Sequence, residues 1–435
     1  MNLVTVLEDN ARLFAESTAL IDSSAGQTIT YRELLNRVNA VAAGLASLGV
    51  KKGDRVALYL PNGSEFIISF FAVLKLGAIA VPFNIQLKQY EIEQLIKHSQ
   101  PKVMIGRQEE TDAEVIPVLQ GLPSEPKIVK VGSKTGSGEI GFADLLDQEP
   151  LSGTACPADD EYAAIYYTSG TTGVMKGALL THHNLAAVAK INGHYLLGLN
   201  DQDRVLGVSP YSHVYFLQVV LGPLSVGAAV VTLERPSPIL ALEAIEKYRV
   251  THVSTVPTMF RYLLRHYQDK KYDVESWRIA GSAATNVPLS LVNEVKETFQ
   301  VDFFDTYGCT ETSSTITYTR LRHYQPGSVG LPAHGVNVKF VDDDAQEVPV
   351  GQIGEIIVKS PGVFAGYWRD PDKTRESFTA DGWFKTGDLG YQDEQGYIYI
   401  VGRKKDVVVS GGYNIYPWEV ERLLLSHPQV AEAAV

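Results

Sequence analysis

The chain has little cysteine, no long hydrophobic run and no excess of basic residues. Its 435 residues contain two cysteines, Cys156 and Cys309, which stand far apart and without the spacing of metal ligands. A disulfide framework and a zinc site are therefore not indicated, and a reducing compartment fits. The formal net charge of −12 argues against nucleic acid or an anionic membrane surface as the main partner, although a local basic patch stays open.

No segment approaches the roughly 18 apolar residues that a membrane span needs. The first residues lead into acidic, helix-like sequence without the basic and apolar regions of a secretory signal. We therefore expect a soluble, cytoplasmic protein without integral membrane contact. Hydrophobic residues make up 45% of the chain and charged residues 20%, which is typical of a globular protein. The length favours two to four domain-sized units.

A loop rich in glycine and hydroxyl groups follows an apolar, strand-like run at residues 163–167. It reads Thr168, Ser169, Gly170, Thr171, Thr172, Gly173, Val174, Met175, Lys176 and Gly177. Its glycines permit close backbone approach to a ligand, its hydroxyl and N–H groups can surround an anion, and Lys176 adds a mobile cation. The spacing is not that of a Walker A loop. We predict a polyphosphate site of a different kind; a glycine-rich hairpin connection is the alternative.

The order of apolar runs predicts an α/β fold. Strands are predicted at 56–60, 78–81, 102–105, 163–167, 205–210, 228–233, 251–256 and 301–304, and helices at 34–48, 64–75, 89–99, 183–191, 216–221, 239–248 and 258–268. Such alternation indicates βαβ units and mostly parallel sheets. Short alternating runs at 336–341, 354–359 and 397–401 indicate a smaller β-rich unit. We predict α/β subdomains at 1–155 and 156–335, a β-rich subdomain at 336–402 and a final segment at 403–435.

Three further motifs accompany the glycine-rich loop. They are Tyr307-Gly308-Cys309-Thr310-Glu311, Trp383-Phe384-Lys385-Thr386-Gly387-Asp388 and Gly402-Arg403-Lys404-Lys405-Asp406. In this order and at these distances, the four stretches resemble the core motifs of the adenylate-forming superfamily, which includes acyl-CoA synthetases, luciferases and peptide-synthetase adenylation domains. The resemblance covers nearly the whole chain and is closest to fatty-acyl-CoA or aryl-CoA ligases. It implies that a carboxylate attacks MgATP to form an acyl-adenylate, which CoA then attacks.

The resemblance also implies roles for individual residues. Thr310 hydrogen-bonds the α-phosphate, Tyr307 stacks on adenine, and Glu311 holds Mg²⁺ together with Thr168, as suits a hard cation. A solvated glutamate at a loop tip is the alternative for Glu311. Further ATP or AMP contacts are assigned to Ser169, Gly170, Thr171, Thr172, Gly173, Lys176, Gly281, Ser282, Ala283, Asp305, Thr306, Gly308, Asp388 and Arg403. Asp388 and Arg403 match the positions that hold the ribose hydroxyls, with a surface salt bridge as the alternative.

The stretch 210–216 bears on the acid substrate. His213 matches the gate residue of acyl-CoA synthetases, and a core histidine is the alternative for it. The resemblance therefore gives a catalytic set of Lys176, His213, Thr310 and Glu311. The stretch has no Asp to pair with an amino acid's ammonium group, which favours an apolar acid, with a fatty acid as the first candidate. The acyl pocket is assigned to His213, Tyr215, Phe216, Thr255, Val256 and Pro257. Packing in the core explains all of these residues except His213 equally well.

The last residues depart from the family pattern. Family members continue beyond the position of Val435 into a small C-terminal domain that carries the adenylation lysine, so we expect impaired adenylation in this chain. Lys405 matches the hinge, and Gly411, Gly412 and Tyr413 match the loop facing CoA. We expect residues 406–435 to be mobile or packed on a neighbouring molecule. A carrier-protein-loading enzyme, a non-catalytic nucleotide or acyl binder, and a homodimer stay open.

Overall fold

Two large α/β sheets and a smaller antiparallel sheet form the protein. The computed structural model describes residues 2–119, 122, 124–132, 138–151, 157–168, 175–270, 272–283, 287–321, 324–410, 413–425, 427, 429–430 and 433–435. The predicted α/β class with mostly parallel sheets and a β-rich part is confirmed. No helix within these residues combines the length and apolar character needed to cross a membrane.

The first sheet has eight strands, and five of its neighbouring pairs are parallel. In spatial order they are Gly366–Tyr367, Lys176–Thr181, Tyr162–Thr168, Ile79–Pro82, Arg55–Tyr59, Val103–Arg107, Lys127–Val131 and Ile140–Gly141. The strands on both sides of the glycine-rich loop form an antiparallel hairpin at one end of this sheet.

The second sheet has nine strands, and its six central strands are parallel. In spatial order they are Leu331–Pro332, Thr317–Tyr318, Asp302–Tyr307, Ile279–Ala283, His252–Thr255, Arg204–Gly207, Ala229–Thr232, Thr18–Asp22 and Gln27–Thr30. Open parallel sheets bind ligands beyond the carboxyl ends of their strands. We therefore look for a ligand site beyond the strand ends at Thr255, Ala283 and Tyr307.

The third sheet is antiparallel and contains four strands: Asn337–Val341, Gly354–Lys359, Phe384–Gln392 and Ile398–Arg403. A two-stranded ribbon, Val408–Ser410 with Tyr413–Ile415, follows it. The helix Pro417–Leu425 lies against the strand Ile398–Arg403, while Leu423 and Leu424 are exposed.

Helices cover the sheets. The α-helices are Leu3–Leu13, Tyr31–Ser47, Ser64–Lys75, Gln89–Ser99, Gln108–Glu110, Ile116–Leu119, Phe142–Leu146, His182–Lys190, Gly222–Ser225, Pro238–Tyr248, Pro257–Asp269, Leu289–Phe299, Pro371–Glu376 and Pro417–Leu425. Segments Thr111–Val115, Ile191–Leu196 and Leu217–Leu221 are π-helical, and Thr310–Thr312 and Lys404–Asp406 are 3₁₀ turns.

Local sequence explains why the long helices form. Thr30 caps the helix Tyr31–Ser47 and exchanges hydrogen bonds with Glu33, which satisfies two N–H groups that a helix start leaves open. The helix Ser64–Lys75 is buried along nearly its whole circumference, because it belongs to the main core that joins residues of both large sheets. This helix therefore fixes the two sheets relative to each other.

Sheet membership crosses the predicted division near residue 155. The strands Thr18–Asp22 and Gln27–Thr30 pair in the second sheet, and Tyr162–Thr168 and Lys176–Thr181 pair in the first. The third sheet occupies the stretch that was predicted to be β-rich. Strand partners are chosen by the burial of complementary faces, which sequence order does not reveal.

Candidate active site

A cavity of about 990 Å³ lies at the carboxyl ends of the parallel strands, between the two large sheets and the third sheet. The predicted site residues in its wall are Thr168, Lys176, His213, Tyr215, Thr255, Val256, Ala283, Thr306, Gly308, Thr310, Glu311, Arg403 and Lys405. The wall also includes Phe384, Lys385, Thr386 and Gly387, so residues from all four motifs, the gate stretch and the hinge position meet in one space.

The hairpin of the first sheet carries Thr168 and Lys176 to the cavity. The two residues are directly opposite each other in the ladder, and the Thr168 hydroxyl lies 3.5 Å from the Lys176 carbonyl oxygen. A hydroxyl and an ammonium group thus stand at the same strand end. The predictions for Ser169, Gly170, Thr171, Thr172 and Gly173 concern residues that lie outside the described part of the chain.

Glu311 is held by the segment that follows the third sheet's second strand. The Phe364 N–H donates to the Glu311 carbonyl oxygen at 2.8 Å, and the Tyr367 hydroxyl donates to Glu311 Oε1 at 2.8 Å. The Lys176 Nζ lies over the Tyr367 ring, 5.2 Å from its centroid. Burial, and secondarily the Glu311 charge, raises the pKa of Tyr367, so its hydroxyl remains a donor.

The turn at Gly308 needs glycine for reasons of space. A Cβ at this position would stand 1.6 Å from the Ser314 carbonyl oxygen. The chain doubles back tightly here before the 3₁₀ turn Thr310–Thr312, which presents Thr310 and Glu311 to the cavity. Packing therefore requires glycine at position 308, in addition to the chemistry assigned to the 307–311 motif.

Asp388 is a buried carboxylate that contacts Tyr307 and Arg403. The Tyr307 hydroxyl donates to Asp388 Oδ2 at 2.6 Å, and Arg403 Nε lies 2.7 Å from Oδ1. Burial raises the pKa of Asp388, although Arg403 and Tyr307 act in the opposite direction. Asp388 is only 5% exposed, whereas the Arg403 side chain is 51% exposed, so the ion pair joins a buried carboxylate to a half-exposed guanidinium group. Tyr307 and Asp388 lie behind the cavity wall, whereas Arg403 lines it.

His213 is set in a turn that Asn62 fixes. The Asn62 amide donates to the Ser209 carbonyl oxygen at 3.0 Å and accepts from the Tyr211 N–H at 2.9 Å. The Tyr215 N–H donates to His213 Nδ1 at 3.2 Å, so the neutral ring carries its proton on Nε2. Burial lowers the pKa of His213, which favours this neutral form.

Two predicted site residues are core residues rather than cavity residues. Phe216 is fully buried, with its ring centroid 5.4 Å from that of Phe66 and 5.0 Å from that of Phe70. Gly281 is required by strand packing, because a Cβ there would stand 2.0 Å from the Phe304 ring. Phe216 therefore packs in the core, and its acyl contact stays a prediction, while Gly281 packs against the Phe304 ring.

Ser282, Asp305 and Pro257 also lie off the cavity wall. The Ser282 hydroxyl is buried and has no hydrogen-bond partner among the described residues. Burial raises the pKa of Asp305 to about 8, although its carboxylate accepts the Thr306 N–H at 2.9 Å. Burial therefore favours the protonated form of the Asp305 carboxyl, which a motif position cannot reveal.

Motif reasoning missed a number of residues of the cavity wall, among them Tyr367 and Lys404. Tyr367 lies on a two-residue strand without a recognisable motif, and only its aromatic side chain after Gly366 offered a signal. Lys404 lies within a motif, yet its partners, Glu355 and Asp343 at 2.9 Å each, are distant in sequence. The predictions for Gly411 and Gly412 fall outside the described residues; Tyr413 begins a strand of the terminal ribbon.

A divalent cation would find oxygen ligands of the right kind at Glu311 and Thr168, which line the same cavity. Within the described ranges, no group of three or more His, Cys, Asp or Glu side chains could hold a metal ion by itself. Few protein ligands suit Mg²⁺, which usually completes its shell with phosphate and water.

Comparison with known proteins identifies related chains. A family model described as AMP-binding enzyme matches residues 7–368. The long-chain-fatty-acid–CoA ligase of Bacillus subtilis is 31% identical, with 100% of this chain and 82% of that protein covered. A feruloyl-CoA synthase of Amycolatopsis is 34% identical, with 98% and 83% covered. The crystal structure of the anthranilate CoA ligase AuaEII in complex with anthranoyl-AMP superimposes with a TM-score of 0.93 at 32% identity, with 100% and 84% covered.

Proposed function

The chain belongs to the AMP-binding enzyme family, and we propose that it activates an apolar carboxylic acid as the acyl-adenylate and transfers the acyl group to CoA. Its relatives are acyl- and aryl-CoA ligases. One observation supports the proposal most directly: side chains of the glycine-rich loop, the 307–311 motif, the gate stretch and Arg403 line one cavity.

Positioning and charge neutralisation carry the first half-reaction, because an acid oxygen displaces pyrophosphate without a protein nucleophile. Lys176 and the Thr168 hydroxyl stand together at a strand end, where they can meet phosphate oxygens. Thr310 lies beside Glu311 at the carboxyl end of the second sheet and lines the same cavity. Mg²⁺, which we assign to Glu311 and Thr168, would add positive charge against the phosphates.

The ribose assignment to Asp388 and Arg403 is compatible with their bonds. A carboxylate offers about four acceptor positions. Tyr307 and Arg403 use one on each oxygen of Asp388. We place the ribose hydroxyls at the remaining acceptor positions of Asp388, beside Arg403, which is the member of the pair that lines the cavity.

The acid would enter beside His213, whose ring is neutral and keeps Nε2 as its donor. Tyr215, Thr255 and Val256 line the same cavity, and their ring and aliphatic groups offer apolar surface beside two hydroxyl groups. We propose an apolar acid on this basis. Fatty acid is the first candidate, and aryl acids follow because feruloyl and anthranilate ligases are among the similar proteins.

A calorimetric titration with MgATP tests the nucleotide and metal assignments. Glu311→Gln should weaken MgATP binding by about 10- to 100-fold, because a charge-assisted contact contributes about 1.5–3 kcal/mol. Glu394→Gln, which removes the same charge from an exposed turn of the third sheet, is the matched control and should bind as the unmodified chain does. Equal MgATP affinity in both variants would reject the metal assignment.

An acid panel tests the substrate class. Pyrophosphate release is measured with medium- and long-chain fatty acids, a hydroxycinnamic acid and an aminobenzoic acid, each with and without CoA. Fatty acids should give the highest rate with CoA. A preference for the aromatic acids would move the assignment to aryl-CoA ligase, and transfer only to a holo carrier protein would favour the carrier-loading alternative.

Three expectations from the sequence stay predictions: the cytoplasmic location, the roles of Lys405 and residues 411–413, and slowed adenylation by these 435 residues. Pyrophosphate exchange on the 435-residue chain measures the last one. ATP binding without any exchange for any acid would favour a non-catalytic nucleotide binder.

A further inference from the structure

Tyr367 lies between the two charged side chains that the adenylation reaction needs. Its hydroxyl donates to Glu311 Oε1 at 2.8 Å, and its ring carries the Lys176 Nζ above it, 5.2 Å from the centroid. All three side chains line the same cavity. One aromatic residue therefore contacts both the assigned metal ligand and the assigned phosphate ligand.

The backbone around Tyr367 is fixed from three directions. Its strand pairs with the strand that begins at Lys176, with Tyr367 opposite Ala178. The Tyr367 N–H donates to the Thr374 hydroxyl at 2.8 Å, and the Trp368 N–H donates to the Gly177 carbonyl oxygen at 2.8 Å. The ring position is thus tied to the hairpin that carries the glycine-rich loop.

The same segment also holds the backbone of Glu311. The Phe364 N–H donates to the Glu311 carbonyl oxygen at 2.8 Å, so main chain and side chain of Glu311 are gripped by residues three positions apart. A glutamate fixed at both ends has few rotamers left to lose when it binds a ligand. This is what a preorganised site requires.

Without the ring, opposite charges in one cavity would attract each other. A direct ion pair between Lys176 and Glu311 would occupy the ammonium group and the carboxylate at once. Among the ion pairs of the described residues, none joins these two side chains. The aromatic face attracts the ammonium group, and the hydroxyl satisfies the carboxylate.

We propose that Tyr367 is a positioning residue of the adenylation site, which holds the Glu311 carboxylate with its hydroxyl and keeps Lys176 apart from it with its ring. The inference rests on the proposed function, because it assigns Glu311 to the cation and Lys176 to phosphate. It extends that function because one side chain keeps the Glu311 carboxylate, assigned to the metal, apart from the Lys176 ammonium group, assigned to phosphate.

Tyr367→Phe tests the hydroxyl, since the ring remains. The Mg²⁺ concentration that gives half-maximal ATP binding by calorimetry should rise about tenfold, whereas ATP binding in EDTA should not change. Tyr399→Phe is the matched control, because Tyr399 also donates to a carboxylate, Asp393 Oδ2 at 3.1 Å, outside the cavity. An unchanged or lower Mg²⁺ requirement for Tyr367→Phe would overturn the role of the hydroxyl.

The double variant Tyr367→Phe with Glu311→Gln separates positioning from general stability. If the hydroxyl acts through the carboxylate, the Mg²⁺ requirement of Glu311→Gln should not rise further when the hydroxyl is removed. A structural role would instead lower the unfolding temperature equally in both backgrounds, and that result would overturn the proposal. If Glu311→Gln itself leaves Mg²⁺ dependence unchanged, the metal assignment within the proposed function fails, independently of Tyr367.

Tyr367→Leu tests the ring. It should weaken ATP binding in EDTA about three- to tenfold beyond Tyr367→Phe, because Lys176 can then pair with Glu311. Replacing Glu311 by Gln in the same chain should restore that metal-free binding. Equal metal-free affinity of the Phe and Leu variants would overturn the role of the ring.

Discussion

The buried carboxyl of Asp305 makes stability depend on pH in a predictable direction. Burial raises its pKa from 3.8 to about 8. Folding therefore takes up a proton between these values, and stability falls as pH rises through the window. The loss is complete above pH 8. Asp305→Asn removes the titration and leaves an amide oxygen that can accept the same Thr306 N–H bond.

The size of the effect follows from the two pKa values. Each unit corresponds to about 1.4 kcal/mol, so the shift of about four units amounts to on the order of 5 kcal/mol at pH 8 and above. Unfolding entropy is roughly 2.1 cal/mol/K per residue. If all 435 residues unfold as one unit, 1 kcal/mol corresponds to about 1 °C in Tm.

Differential scanning calorimetry from pH 4.5 to pH 9 measures this. The Tm of Asp305→Asn minus that of the unmodified chain should grow with pH by about 5 °C and level off above pH 8. Asp302→Asn is the control, because Asp302 is exposed on the same strand. A Tm difference that stays constant with pH, or that shrinks as pH rises, would refute the protonated carboxyl at Asp305.

Three further substitutions separate packing from chemistry. Gly281→Ala should lower stability by about 1–3 kcal/mol or more because its Cβ meets the Phe304 ring, and calorimetry showing an unchanged Tm would contradict the close contact. Phe216→Ala should cost about 3–5 kcal/mol of stability while the KM for the acid changes little; the reverse pattern would return Phe216 to the acyl pocket. His213→Ala should slow acyl-CoA formation far more than it weakens MgATP binding, and equal losses in both assays would contradict a gate role.

Helices and strands with strong local signals were predicted closely. The helices Ser64–Lys75 and Gln89–Ser99 and the strand Gly354–Lys359 have the predicted bounds. Their apolar spacing and their turn residues act within one element. Such signals can be read without knowing what the element packs against.

Contacts between residues that are distant in sequence were not predictable from such local signals. Strand Thr18–Asp22 pairs with Ala229–Thr232, far along the chain, and no local pattern names that neighbour. Phe216 and Tyr215 are adjacent and both aromatic, yet Tyr215 lines the cavity and Phe216 packs in the core. Which face of a turn looks inward depends on the surfaces that surround it.

The sequence by itself determined the α/β class, the family and the order of the motifs, because strand and turn preferences and motif spacing are properties of neighbouring residues. The tertiary structure alone decided that Tyr367 stands between Lys176 and Glu311, and that Asp305 is buried with its pKa raised. Contacts and desolvation arise between groups distant in sequence, so they exist only once the sheets have packed together.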